Sequence, residues 1–182
     1  ITPWLGNVLV ANNNETSTDI NFSAWLTLEK SRAERLQVNF AQSSLHWLLA
    51  QKKQQLTLQA GQLLLVKDEL TDTFTMFSSP LTWQHNDQSP TEVTSQFSQQ
   101  NKDYIFHVSH LDLALVSSLS PLFIVDQSTR NKLAAMQLTG NIEELFIRQQ
   151  QNELQVLSNF TQVNSRYSSG IPGIENVSGK LS

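Results

Sequence analysis

Three features of this 182-residue chain predict a mainly β fold: a curled, largely antiparallel, multi-stranded sheet, groove-like or sandwich-like, with one or two short helices. Apolar residues recur at every second position through most of the sequence. Turn-forming residues interrupt that alternation at intervals of about 8 to 12 residues, the spacing of antiparallel meanders. One stretch alone, within 111–139, changes to helical spacing.

The alternation begins in INFSAWLTL, where Ile20, Phe22, Ala24, Leu26 and Leu28 would share one face of an extended strand. Leu36, Val38 and Phe40 repeat it, followed by Leu45, Trp47 and Leu49, then Leu56 and Leu58, then Leu63 and Leu65. Further strands are predicted at Phe74 to Phe77, Leu81 to Trp83, Val93 to Phe97, Tyr104 to Val108, Ile142 to Ile147, Leu154 to Leu157 and Phe160 to Val163. The intervening positions are mostly Gln, Asn, Ser and Thr, so the sheet has one greasy and one wetted side. Turns are expected at the asparagines 12–14, at Lys67-Asp68, at Ser78-Ser79-Pro80 and across HNDQSP from 85 to 90. Gly61 marks a bulge or bend.

In LDLALVSSLSPLFIV, Leu111, Leu115, Val116 and Leu119 follow a helical period, and Pro121 is expected to end or kink that helix. Asp126 or Ser128 then caps a second amphipathic helix carrying Leu133, Ala134 and Met136. Two short helices over an end or mouth of the sheet follow.

Hydrophobic residues at 39% with 15% charged fit a folded domain, and a net charge of −4 offers no general attraction to nucleic acid. Cysteine is absent, which removes disulfides, thiolate metal sites and thiol catalysis. The longest apolar runs, such as Leu63 to Val66, are four residues, where a membrane span needs about 18. The chain opens on Ile1 with no signal peptide and reads as one β-rich module, 1–182, cut from a longer protein.

Catalytic and cofactor motifs fare poorly. Three of the six glycines, Gly170, Gly173 and Gly179, crowd the last thirteen residues, yet Gly173 and Gly179-Lys180 are spaced wrongly for a phosphate loop, and Leu181 stands where a magnesium-binding hydroxyl belongs. His107 and His110 fall on opposite sides of a strand, unlike the i, i+4 pair of a helical zinc site. Adjacent carboxylates at Asp68/Glu69 and Glu143/Glu144 diverge in the same way and read as solvated charge. No nucleophile elbow occurs. Trp47 and Trp83 are in phase with core positions, whereas Trp25 lies on the side opposite Phe22 and Leu26, and Trp4 is near a terminus. The chain is therefore expected to be no enzyme, to need no cofactor and to bind no metal.

The second half carries an ordered set of motifs. Leu138, Gly140, Ile142 and Leu145 form a Leu-x-Gly-x-Ile-x-x-Leu strand, Phe160 and Val163 a Phe-x-x-Val segment, and Pro172, Gly173, Ile174, Ser178 and Gly179 a glycine-rich corner. This order resembles modules of the YhdP branch of the AsmA-like bacterial envelope proteins, and FSAWLTLEKSRAERLQVNFAQSSLHWLL resembles the family's paired strands more loosely. The resemblance makes the three late glycines corners that admit a next strand beginning at Gly179. It implies a large protein anchored in the inner membrane with a long periplasmic body, related in principle to chorein-type lipid bridges. Such a body would carry phospholipid to the outer membrane and maintain its barrier.

On that expectation the partners are phospholipid acyl chains and neighbouring modules of the same parent chain. The lipid-facing set is drawn from Phe22, Leu26, Leu36, Val38, Phe40, Leu56 and Leu58. Two rival readings use the same alternation: a closed β-sandwich for adhesion or carbohydrate binding, with Trp25 as a stacking ring, and a hydrolase whose residues converge only in the fold.

Overall fold

The computed structural model describes residues 16–182 other than 31, 50, 51, 125, 152 and 169, and the backbone alone at 121, 123 and 127. The asparagines 12–14 and Trp4 lie outside the described residues. Thirteen strands among the described residues form one open, antiparallel sheet, and the sandwich alternative is not what the chain adopts.

The chain passes up and down in consecutive neighbours, and most early passes are broken strands. Strand β1 (Ser17–Asp19) leads into β2 (Phe22–Glu29), β3 (Arg32–Phe40) into β4 (Ser43–Leu49), β6 (Thr73–Ser78) into β7 (Leu81–His85), and β8 (Thr91–Val93) into β9 (Ser95–Gln100). Strand β5 (Lys52–Asp68) crosses unbroken and, at 17 residues, is about 56 Å long. Its first half pairs with β4 and β7, and its second half with β3 and β6. Strand β10 (Asp103–Asp112) pairs with β9, and then β11 (Thr139–Gln150), β12 (Glu153–Ser165) and β13 (Ile174–Leu181) complete the sheet.

The breaks line up as a crease across the strands. In β5 the register shifts between Leu58 and Ala60, and the apolar positions change from even (Leu56, Leu58) to odd (Leu63, Leu65). One displaced residue therefore keeps the greasy face continuous while the strand bends. Gly61 sits at this bend because a Cβ there would run into the side chain of Leu81. Backbone N–H groups that lose ladder partners at the crease are taken up by serine hydroxyls. Asn21 donates to Ser43 Oγ (3.0 Å), Gln62 to Ser79 Oγ (2.9 Å), Ser95 to Ser78 Oγ (2.6 Å) and Thr94 to Ser109 Oγ (2.9 Å).

Helices α1 (Leu113–Phe123) and α2 (Gln127–Met136) join β10 to β11. Asp112 caps α1 by accepting from Ala114 N (2.7 Å) and Leu115 N (3.3 Å), and Asp126 caps α2 from Thr129 N (2.6 Å). Helix α1 packs on the inner face of the sheet, and the fully buried apolar side chains among the described residues are gathered there: Trp47, Val93, Val108 and Leu115.

Several local expectations are corrected. Leu111 belongs to β10, and α1 runs through Pro121, whose missing N–H costs only a bond in the last turn before Ile124 N closes on Ser120 O at 2.9 Å. Lys67-Asp68 ends β5, and the turn follows it; Ser78-Ser79-Pro80 is a fold in one pass, with no hairpin. Leu154–Leu157 and Phe160–Val163 merge into β12. The strand after the glycine corner begins at Ile174, so Gly179 lies within β13, where it leaves room for the ring of Phe160. Gly170 is a true corner, with φ +87, and Gly173 is required because a Cβ would sit 2.9 Å from the Ser165 carbonyl oxygen.

Candidate functional site

Cross-strand register gathers the alternating residues into rows perpendicular to the strands. The longest apolar row runs Leu26, Leu36, Leu65, Met76, Phe97, Phe106, Ile147 and Val156, each directly opposite the next. With strands about 4.8 Å apart, eight residues in line span about 34 Å. Beside it lie Ala24, Val38 and Leu63 on one flank and Phe74 and Tyr104 on the other. The rings of Phe74, Phe97 and Tyr104 follow one another at 6.5 and 6.4 Å.

Nothing among the described residues covers this row. Helix α1 shields only the part nearest Val93 and Val108. Toward the first hairpin the face opens to solvent: Phe22 is 46% and Leu26 57% exposed, and the remaining members of the row are half-buried. A trough of about 300 Å³ lies at this end, with Leu26, Leu36, Leu65 and Phe74 in its walls. The opposite face is a polar lattice. Arg35 donates to Gln37 Oε1 (3.3 Å), Gln37 Nε2 to Asn39 Oδ1 (3.2 Å), and Gln62 Nε2 to the same Asn39 oxygen (2.8 Å).

Of the seven residues expected to face lipid, Phe22, Leu26, Leu36, Val38 and Phe40 lie on the inner face of β2 and β3, with Phe22 and Phe40 rings 6.4 Å apart. Leu56 and Leu58 lie beyond the crease, opposite His85 and Trp83, in the arm that α1 approaches. The corner residues Pro172, Gly173, Ile174, Ser178 and Gly179 sit at the far edge of the sheet. There Ser178 Oγ accepts from Gln162 N at 2.9 Å, and Ile174 pairs with Ser165. The middle of the row, Leu65, Met76, Phe97, Phe106, Ile147 and Val156, was not singled out from sequence. Alternation marked most of these residues as strand, but only the pairing order puts them in one line.

The other chemistry-bearing residues stay apart. His107 Nε2 meets Glu144 at 2.7 Å and His110 Nδ1 meets Glu143 at 2.9 Å, two separate pairs on neighbouring strands. Among the described residues no three His, Asp or Glu side chains gather as a metal site, and no helix is long and apolar enough to cross a membrane. Trp25 is 54% exposed on the polar face and pairs with Gln37.

An open antiparallel sheet with one long uncovered apolar face, creased so that the face is continuous through the bend, defines a class of elongated, groove-presenting β proteins. The sequence profile of the YhdP protein family matches residues 1–182, the whole chain. The chain belongs to the YhdP family of AsmA-like envelope proteins. No curated protein and no solved structure gives a match.

Proposed function

We propose that this chain is a non-catalytic module that shelters phospholipid acyl chains on its inner face. On this reading it forms part of a periplasmic body, anchored through its parent protein in the inner membrane, that passes phospholipid between inner and outer membranes and so maintains the outer-membrane barrier. The observation that carries the reading is the uncovered row from Leu26 to Val156. Its length of about 34 Å exceeds the roughly 15 Å depth of one bilayer leaflet, so an acyl chain fits along it with room to advance. Each methylene taken out of water contributes about 0.8 kcal/mol, without directional bonds, so a tail can slide from one position to the next with little change in energy. Movement of this kind uses burial alone and needs no catalytic group. Neighbouring modules of the same parent chain would extend the face.

The test is capture. Photo-crosslinking side chains placed at Phe22 or Val38, on the inner face, should label phospholipid in cells, and organic extracts of gently purified protein should contain it. The same crosslinker at Gln37, on the polar face, is the control. Equal labelling from both faces, or none from either, counts against a lipid-bearing trough.

A further inference from the structure

The face does not end at the crease. Beyond it, β4, β5 and β7 carry Trp47, Leu56 and His85 onto the same side, and α1 lies over them. Two contacts fasten the helix. The Trp47 indole Nε1–H donates to the Ser118 carbonyl at 2.8 Å, and the Ser118 hydroxyl meets His85 Nε2 at 3.4 Å. The imidazole and indole rings lie nearly parallel, 6.0 Å apart with 8° between their planes.

His85 is 8% exposed, and three side chains converge on one of its nitrogens, with the Gln88 side chain also near the ring. Nε2 is met by Gln54 Oε1 (3.2 Å), Asn86 Nδ2 (3.2 Å) and Ser118 Oγ, whereas Nδ1 is buried with no hydrogen-bond partner. A neutral ring tolerates this as the Nε2–H tautomer, whose proton goes to Gln54 Oε1 and whose bare Nδ1 needs no donor, the Ser118 hydroxyl proton being given to the Leu115 carbonyl (2.8 Å). A protonated ring must place an N–H and a share of positive charge at Nδ1, the buried nitrogen that makes no hydrogen bond.

We propose that α1 is a proton-released lid: protonation of His85 loosens the helix from the β4–β5–β7 arm and uncovers Trp47, Val93 and Val108 as a continuation of the apolar face. Neighbouring charges frame the effect. Helix α1 contributes none. Strand β5 places Lys52, exposed, on the same side, one row beyond Gln54, while Lys53, His46 of β4 and Glu92 of β8 take the other side. The turn after β7 brings Asp87. Asp112, at the start of α1, pulls toward protonation, as does the side chain of Gln88, but burial outweighs both and holds the imidazole below its ordinary value of 6.5. Opening α1 returns the ring to water and removes that penalty, so each pH unit between the two values favours the open form by about tenfold.

As a control on loading, the lid rests on the lipid-sheltering reading, but its opening is measured on lipid-free protein, so the two can fail separately. Amide hydrogen exchange of the intact chain is compared at about pH 7.5 and about pH 5, corrected for the intrinsic pH dependence of exchange. Protection in α1 should fall about tenfold or more, while β11 and β12 keep theirs, and His85→Phe, which retains a ring against Trp47, should abolish the change. In the unsubstituted protein, the NMR titration midpoint of the His85 ring should coincide with the loss of α1 protection, a check that stands even if the variant fails to fold. Unchanged protection, loss with a different midpoint, or an undiminished response in folded His85→Phe overturns the lid.

Discussion

Trp47 and Ser118 are 71 positions apart in the chain, yet the indole of one donates to the main-chain carbonyl of the other at 2.8 Å in the most deeply buried part of the molecule. The sheet is so open that this contact and its surroundings are what it has for a compact core, and the stability of the arm depends on it. Trp47→Ala removes the ring that fills the space under α1 and should lower unfolding free energy by about 3 to 5 kcal/mol, as for other large aromatic deletions. Trp47→Phe keeps most of the packing but loses the donor, and should cost about 1 to 2 kcal/mol. Urea unfolding followed by circular dichroism separates the two.

The serine crease makes a different demand. Ser79 and Ser109 supply the oxygens that Gln62 N and Thr94 N would otherwise receive from a neighbouring strand. Alanine at either position strands a part-buried N–H and should cost about 1 to 3 kcal/mol, against under about 0.5 kcal/mol for Ser23→Ala, an exposed serine in β2 outside the crease. Losses as small as the control's would mean that water replaces the hydroxyls and that the crease is not held by them.

Much of the fold is legible in the sequence because alternation is a local signal. Phe22 to Leu28 and Leu36 to Phe40 announce which side is greasy before any pairing is known, and Asp126 announces a cap. What is not legible is set by partners far along the chain. The even-to-odd switch within β5 is written as an apparent defect in the pattern around Gly61, and its purpose shows only when β3, β4, β6 and β7 are laid beside it. Gly179 reads as a corner by composition, but it is a strand residue because Phe160 lies across it. His85 gives no signal at all: a histidine in a polar turn sequence becomes buried only because a helix from 33 positions later settles on it.

Two glycines share a left-handed backbone and differ in their surroundings, which makes them a matched test of strain against crowding. Gly140 has φ +105, and a Cβ there would lie 2.6 Å from the Gln162 carbonyl oxygen; Gly170 has φ +87 and open space. Gly170→Ala should cost about 1 kcal/mol from backbone strain alone. Gly140→Ala should cost more, about 3 kcal/mol, because β11 and β12 must also part. Thermal unfolding of the two variants in parallel reads the difference, and equal losses would place the whole effect in the backbone angle.

Stability should fall with acid in two separate windows. Burial holds His85 below 6.5, so between its folded and unfolded values the unfolded chain binds more protons. Its contribution is complete above 6.5 and is lost as pH falls from there to the lowered folded value, with a slope of at most about 1.4 kcal/mol per pH unit. Asp68, held down first by the backbone N–H of Leu70, and Asp126, held down first by the Thr129 hydroxyl, behave as lowered carboxyls: their contributions persist above 3.8 and disappear below it. Urea midpoints measured across pH should show both steps, and His85→Phe should erase the upper one alone.

The decisive comparison for an open trough sets two apolar residues of the inner face against each other. Leu26 is 57% exposed and Val108 is 3% exposed under α1. In a closed core both would be intolerant of charge. On an open face they part company: Val108→Asp buries a carboxylate without a partner and should cost more than about 3 kcal/mol, while Leu26→Asp keeps its charge in water and should change stability by under about 1 kcal/mol. Lipid retention should respond in the opposite sense, because Leu26→Asp places a hydrated carboxylate where an acyl chain must lie. A folded, stable Leu26→Asp protein whose extracts are depleted of phospholipid assigns that row to ligand; an equally stable protein with undiminished lipid shows that the tails lie elsewhere.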